Sequence, residues 1–168
     1  LRFYILTAAN VGPDFPQMVM MILGVLSVAY AAFEVYRQRD IKRKLAYSSC
    51  ENVGLIAVCF GIGGPLGIIA GLVHCIAHGL TKALMFCVAG NVMMKYHTRD
   101  LEKIKGILAV APVTGVLFVA GCLALAGFPP FAMFVSEMAM ILAGIAADAL
   151  WLVALVLVAL VVVIMALV

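Results

Sequence analysis

Charge is what this sequence has least of. Only 11% of its residues are Asp, Glu, Lys or Arg, with 8 acidic against 11 basic side chains. A soluble domain carries about 25% charged residues and about 45–50% apolar ones. Here 67% are hydrophobic and the mean hydropathy is +1.23. No water-soluble fold covers that much apolar side chain, so the composition predicts an integral membrane protein. The net charge of +3 is no nucleic-acid signal, because the basic residues gather in two short segments. Ligand spacings are absent as well. The five cysteines, Cys50, Cys59, Cys75, Cys87 and Cys122, form no CxxC pair. They fall in apolar runs, where a thiol packs as a small hydrophobe. There is no glycine-rich phosphate loop, no nucleophile elbow and no zinc spacing. The chain starts at Leu1 without Met, a basic n-region or a cleavage site, and reads as part of a longer chain.

Taken in order, residues 1–16 read as the end of one element and a loop, with turn chemistry at Gly12-Pro13-Asp14-Phe15-Pro16. Residues 17–168 read as five membrane spans: about 17–36, 45–62, 66–96, 107–147 and 149–168. Residues 37–44 hold five basic side chains in eight, and residues 95–105 are basic again. The connection at residues 61–65 is uncharged. The positive-inside rule places both basic loops in the cytoplasm. The third span would reach about 45 Å at 1.5 Å per residue, so it must tilt or protrude.

The fourth span is interrupted. Ala126-Gly127-Phe128-Pro129-Pro130 cannot continue a regular helix, since the prolines remove donors and clash with the preceding turn. The expected object is one span broken at Gly127, Pro129 and Pro130, with Glu137 about two turns beyond. Broken helices mark ion and substrate sites in transporters. Two short helices with an interfacial hairpin is the other reading.

The stretch that carries chemistry is His74-Cys75-Ile76-Ala77-His78-Gly79-Leu80-Thr81-Lys82. On a helix, His74, His78 and Lys82 drift by about 40° and climb by about 6 Å per step, which makes a slanting ladder on one face. Ionisable groups inside a membrane are costly and read as an ion or proton path. The plainer alternative is a polar cluster that only holds helices together. HxxxH could in principle bind a metal, but Cys75 stands where the usual acidic companion would be.

Several longer motifs occur in one order: Asp40-Ile41-Lys42-Arg43-Lys44-Leu45-Ala46-Tyr47-Ser48-Ser49, His78-Gly79-Leu80-Thr81-Lys82-Ala83-Leu84-Met85-Phe86, Thr98-Arg99-Asp100-Leu101, and Leu125-Ala126-Gly127-Phe128-Pro129-Pro130 with Ser136-Glu137. Together they resemble the antiporter-like, proton-translocating subunits of respiratory complex I, the Mrp antiporters and the group 4 membrane-bound [NiFe] hydrogenases. Ser49-Cys50-Glu51-Asn52-Val53-Gly54 and Phe86-Cys87-Val88-Ala89-Gly90-Asn91-Val92 are most similar to the hydrogenase-4 component F branch.

The resemblance implies an all-α membrane fold of about fourteen helices with two inverted five-helix repeats. This chain matches the second repeat, helices nine to thirteen, with the twelfth broken. It implies a proton path over His74, His78, Lys82 and Glu137. Several relatives have Lys where Glu137 stands. Many complex I relatives have His where this chain has Glu51, so Glu51 joins the path only as a hydrogenase-branch feature. The resemblance also implies partners: the remaining helices of a full-length subunit, and further membrane and hydrophilic subunits of a redox complex in a prokaryotic cytoplasmic membrane. A NiFe centre and Fe–S clusters would lie in those partners, with no cofactor in this chain. A secondary sodium/proton antiporter and a non-conducting membrane anchor stay open beside this reading.

Overall fold

The computed structural model describes residues 1–167. Among them the chain is helical, and its one extended contact is an isolated antiparallel bridge between Asp40 and Asp100. Helix α1 (Arg2–Val11) ends at Gly12, whose φ is +96°. Next come α2 (Asp14–Arg37), α3 (Ile41–Ile62) and α4 (Gly64–Tyr96). These three are long and apolar enough to cross a membrane. A 3₁₀ turn (Leu101–Lys103) leads to α5 (Ile107–Val110), α6 (Pro112–Leu125), α7 (Ala132–Ala146) and α8 (Leu150–Leu167).

Local chemistry sets these boundaries. Helix α3 starts where Asp40 caps it, the carboxylate accepting from the Lys42 and Arg43 amides at 2.8 and 3.1 Å. Lys42, Arg43 and Lys44 therefore lie in the first turns of α3, and the basic loop read over residues 37–44 shrinks to residues 38–40. Gly63 and Gly64, at φ +70° and +64°, turn α3 straight into α4. Helix α4 has 33 residues, about 50 Å of rise against a hydrocarbon core of about 30 Å. It ends at His97 in the left-handed conformation. The two basic segments meet: the Ile41 amide donates to the Arg99 carbonyl and the Leu101 amide to the Arg39 carbonyl, each at 3.0 Å. Arg39 also pairs with Glu102 at 3.0 Å. Both segments thus share one end of the bundle.

Helices α2 and α3 pack backbone to backbone. A Cβ on Gly24 would sit 2.8 Å from the Gly54 carbonyl, and one on Gly54 would sit 2.9 Å from the Gly24 carbonyl. Small residues permit such close approach where no water drives helices together. Helix α4 is central and packs against α3, α6 and α7. Beside an apolar core, large apolar side chains line the outer surface and ionisable ones lie inside. Ile22, Phe33, Ile76, Leu80, Val113 and Val158 are exposed, whereas Ser48, Glu51, Asn52, His74, His78, Lys82, Ser136 and Glu137 are buried.

Candidate functional site: a buried polar layer

Three helices build the site. From α3 come Ser48, Glu51 and Asn52; from α4, His74, His78 and Lys82; from α7, Ser136 and Glu137. On α4 the division of faces is sharp. His74 and Lys82 are 0% and 5% exposed, while Ile76 and Leu80 are 66% and 70% exposed. The ladder faces inward because α3, α6 and α7 cover that side.

His74 is the most constrained of these residues. Its Nε2 lies 3.0 Å from Asn52 Oδ1 and its Nδ1 lies 2.9 Å from Ser136 Oγ. It joins α3 to α7 through α4. The His78 ring stacks on it with centroids 6.4 Å apart and planes 9° from parallel. One turn on, the Lys82 ammonium donates to the Leu45 carbonyl at 2.9 Å. The Ser49 hydroxyl donates to the same carbonyl at 3.1 Å. The ion pairs among the described residues, Arg39–Glu102 and Lys103–Asp100, lie in the connecting segments and not in this layer.

Glu51 interacts electrostatically with both Lys82 and Glu137. Neither of its carboxylate oxygens has a hydrogen-bond partner in the protein, and nor does His78 Nδ1. Buried polar atoms are nearly always satisfied by protein or water. Three unpartnered buried atoms in one layer set this site apart from the rest of the bundle.

The break positions Glu137. Helix α6 ends at Leu125, and the chain leaves helix until Ala132. Gly127 has φ +64°, and a Cβ there would collide with the Glu137 carboxylate. Gly127 is therefore required twice, for the turn and for the space. Pro129 and Pro130 follow within the break, and Glu137 is 3% exposed.

The polar layer is closed along the helices. Ile41, Leu45, Met85, Ala89 and Leu125 form an apolar cluster on its side nearer the basic segments. Leu55, Cys59, Ala70, Met140 and Val156 form another beyond it. Along α3 and α4 the ionisable residues fall between members of these two clusters.

Five residues singled out from the sequence, Glu51, His74, His78, Lys82 and Glu137, thus share one buried layer. Asn52 and Ser136 complete it. Both stand in the motifs that carry the family resemblance, but neither is ionisable and nothing in the sequence pairs them with His74. No group of three or more His, Cys, Asp or Glu among the described residues could hold a metal ion. All five cysteines are free thiols.

A bundle of apolar helices around a broken helix and a buried line of ionisable residues defines a multi-pass membrane subunit of the antiporter-like class. The chain belongs to the family described as NADH:quinone oxidoreductase/Mrp antiporter, transmembrane, whose model matches residues 1–163. It is 42% identical over 137 residues to a hydrogenase-4 component F homolog of Methylacidiphilum infernorum, covering 82% of this chain and 29% of that relative. It is 34% identical over 131 residues to an NAD(P)H-quinone oxidoreductase chain 4 of Thermosynechococcus vestitus, covering 78% of this chain and 25% of that one. Among solved structures, a chain of the membrane-bound sulfane sulfur reductase, an archaeal respiratory membrane complex, superposes with a TM-score of 0.85. The identity there is 33%, over 93% of this chain and 32% of that one. The chain therefore spans between a quarter and a third of the length of these relatives.

Proposed function

We propose that this chain carries protons within the membrane arm of a redox-driven complex, of the group 4 hydrogenase type. Its path runs over Glu51, His74, His78, Lys82 and Glu137. The observation that carries the reading is the set of unpartnered atoms. A cluster serving only as glue would have its polar atoms paired. Here both oxygens of Glu51 and one nitrogen of His78 are buried without protein partners, among three further ionisable groups. Groups in that state can exchange protons with water and with one another.

In this reading the chain forms five spans, helices nine to thirteen of the antiporter-like fold. Helices α6 and α7 together make the broken one. The apolar clusters on either side deny protons a direct route along the helix axes. Transfer then runs laterally, from helix to helix. The redox chemistry, with its NiFe centre and Fe–S clusters, belongs to partner subunits in a prokaryotic cytoplasmic membrane.

The test is Lys82→Arg in the complete complex, with a pH-sensitive dye in inverted vesicles and the redox reaction followed in parallel. Lysine can release and regain a proton, whereas a guanidinium keeps its own. The variant is expected to assemble and to lose coupled proton movement, as is Lys82→Met. Undiminished pumping by the arginine variant would favour a non-conducting anchor. Dye responses that require sodium and persist without redox turnover would favour a secondary sodium/proton antiporter.

A further inference from the structure

We propose that Ser136 is a proton switch for His74, and that His74 exchanges its proton only on the side facing α7. The proposal rests on the proton-carrying reading above and assigns a role to residues outside the ionisable line.

The available hydrogens limit what the His74 ring can do. The Asn52 side-chain nitrogen donates to the Ser48 carbonyl at 2.7 Å. That fixes the amide, so its oxygen faces His74 Nε2 at 3.0 Å. A carbonyl oxygen only accepts, so Nε2 carries a hydrogen in either charge state of the ring. Whether the ring is neutral or positive is then decided at Nδ1. Nδ1 faces the Ser136 oxygen at 2.9 Å, and that oxygen lies 2.7 Å from the Met133 carbonyl. Ser136 has one hydroxyl hydrogen and two takers.

Two arrangements pair both ring nitrogens. With neutral His74, the Ser136 hydroxyl donates to Nδ1, and the Met133 carbonyl does without it. With positive His74, Nδ1–H donates to the Ser136 oxygen, and the hydroxyl turns to the Met133 carbonyl. The distances recorded, with Ser136 Oγ in contact with both, suit either arrangement without movement of a heavy atom. A proton gained through this contact is balanced simply. The hydroxyl hands its hydrogen to Nδ1 while the serine oxygen takes a proton from a hydronium ion, which leaves as neutral water. The new O–H then donates to the Met133 carbonyl.

The consequence reaches beyond one ring. Met133 lies in the first turn of α7, directly after the break, and Ser136 adjoins Glu137. The charge of His74 thus alters the hydrogen bonding of the turn that presents Glu137. The buried carboxyl, imidazole and ammonium groups on the elements around His74 are Glu51 on α3, His78 and Lys82 on α4, and Glu137 on α7. Of these the His78 ring is the one stacked on it.

The experiment uses the complete complex in inverted vesicles, with assembly followed by native gel and pumping by a pH-sensitive dye across a pH series. Ser136 is fully buried, so Ser136→Ala is nearly isosteric and removes only the hydroxyl. Ser136→Thr keeps the hydroxyl and adds a methyl. A side chain that only fills space makes alanine harmless and threonine the worse variant. A switch makes the opposite order. The expected result is that Ser136→Ala assembles, slows coupled pumping by about tenfold or more and displaces its pH profile, while Ser136→Thr restores both. An unchanged pH profile in Ser136→Ala overturns the proposal, and so does a threonine variant that assembles but pumps less than alanine. Should threonine fail to assemble, the alanine profile decides alone. His74→Gln separates the two readings. If it abolishes pumping while Ser136→Ala leaves the profile unchanged, the switch falls and the proton path stands. If His74→Gln pumps normally, both fall.

Discussion

Glu51 is 1% exposed and neither of its oxygens meets a protein donor. A carboxylate left in that state costs several kcal/mol, on the order of the penalty for an unpaired buried charge. It persists only with a proton, with water or with the field of Lys82 to hold it. Glu51→Gln keeps the shape and removes the exchange. The variant is expected to assemble normally and to lose coupled pumping by about a hundredfold, and Glu51→Asp should keep part of it. Vesicle dye assays against assembly on native gels read both, and a glutamine variant that pumps at the parental rate would place Glu51 outside the path. At this scale the ionisable residues were legible, because His74, His78, Lys82 and Glu137 stand out in apolar runs. Their neutral partners were not. Asn52 and Ser136 meet His74 across 22 and 62 residues of sequence. Serine and asparagine enter membrane helices for many reasons, and nothing local marks that meeting.

Among the elements, the break between α6 and α7 has the clearest sequence cause and the sharpest structural consequence. Gly127-Phe128-Pro129-Pro130 cannot be helical, and residues 126–131 are not. What the sequence does not display is the use of the turn. Gly127 lies ten residues from Glu137 yet touches its carboxylate, because the chain reverses into α7. Gly127→Ala meets two obstacles, a positive φ and the Glu137 carboxylate in the place of the new methyl. A left-handed backbone costs a non-glycine residue about 1–2 kcal/mol. The carboxylate must also move. The expected outcome is a complex that assembles with reduced thermal stability and pumps poorly. Purified complex melted with a thiol-reactive or intrinsic fluorescence probe checks the first, and the vesicle assay the second. Normal pumping would show that Glu137 tolerates displacement. The start of α3 teaches a complementary lesson. Charge density made residues 37–44 look like loop, whereas one aspartate side chain at Asp40 draws Lys42, Arg43 and Lys44 into helix. Long basic side chains at a helix end can still reach the aqueous boundary.

For the whole molecule, orientation is the property on which the direction of any ion movement depends. The two basic segments are held together by backbone bonds between Arg39 and Leu101 and between Ile41 and Arg99, so they must lie on one side of the membrane. Lys and Arg in short loops favour the cytoplasmic side. The turn at Gly63 and Gly64 and the α7–α8 connection at residues 147–149 carry no basic residue, and we assign them to the opposite side. Single cysteines at Gln38 and Ala147, in a chain whose native cysteines are replaced, distinguish the two orientations. Ala147 is exposed and lies just past α7, while Gln38 lies between α2 and Asp40. In intact cells a membrane-impermeant maleimide should label Ala147→Cys and spare Gln38→Cys. In inverted vesicles the order should reverse. Labelling of Gln38→Cys from outside intact cells would invert the assignment and place the apolar cluster around Met85 and Leu125 toward the outer side. Equal labelling of both from one face would mean that an odd number of crossings does not separate them. The pairing of α6 with α7 as a single crossing would then be wrong.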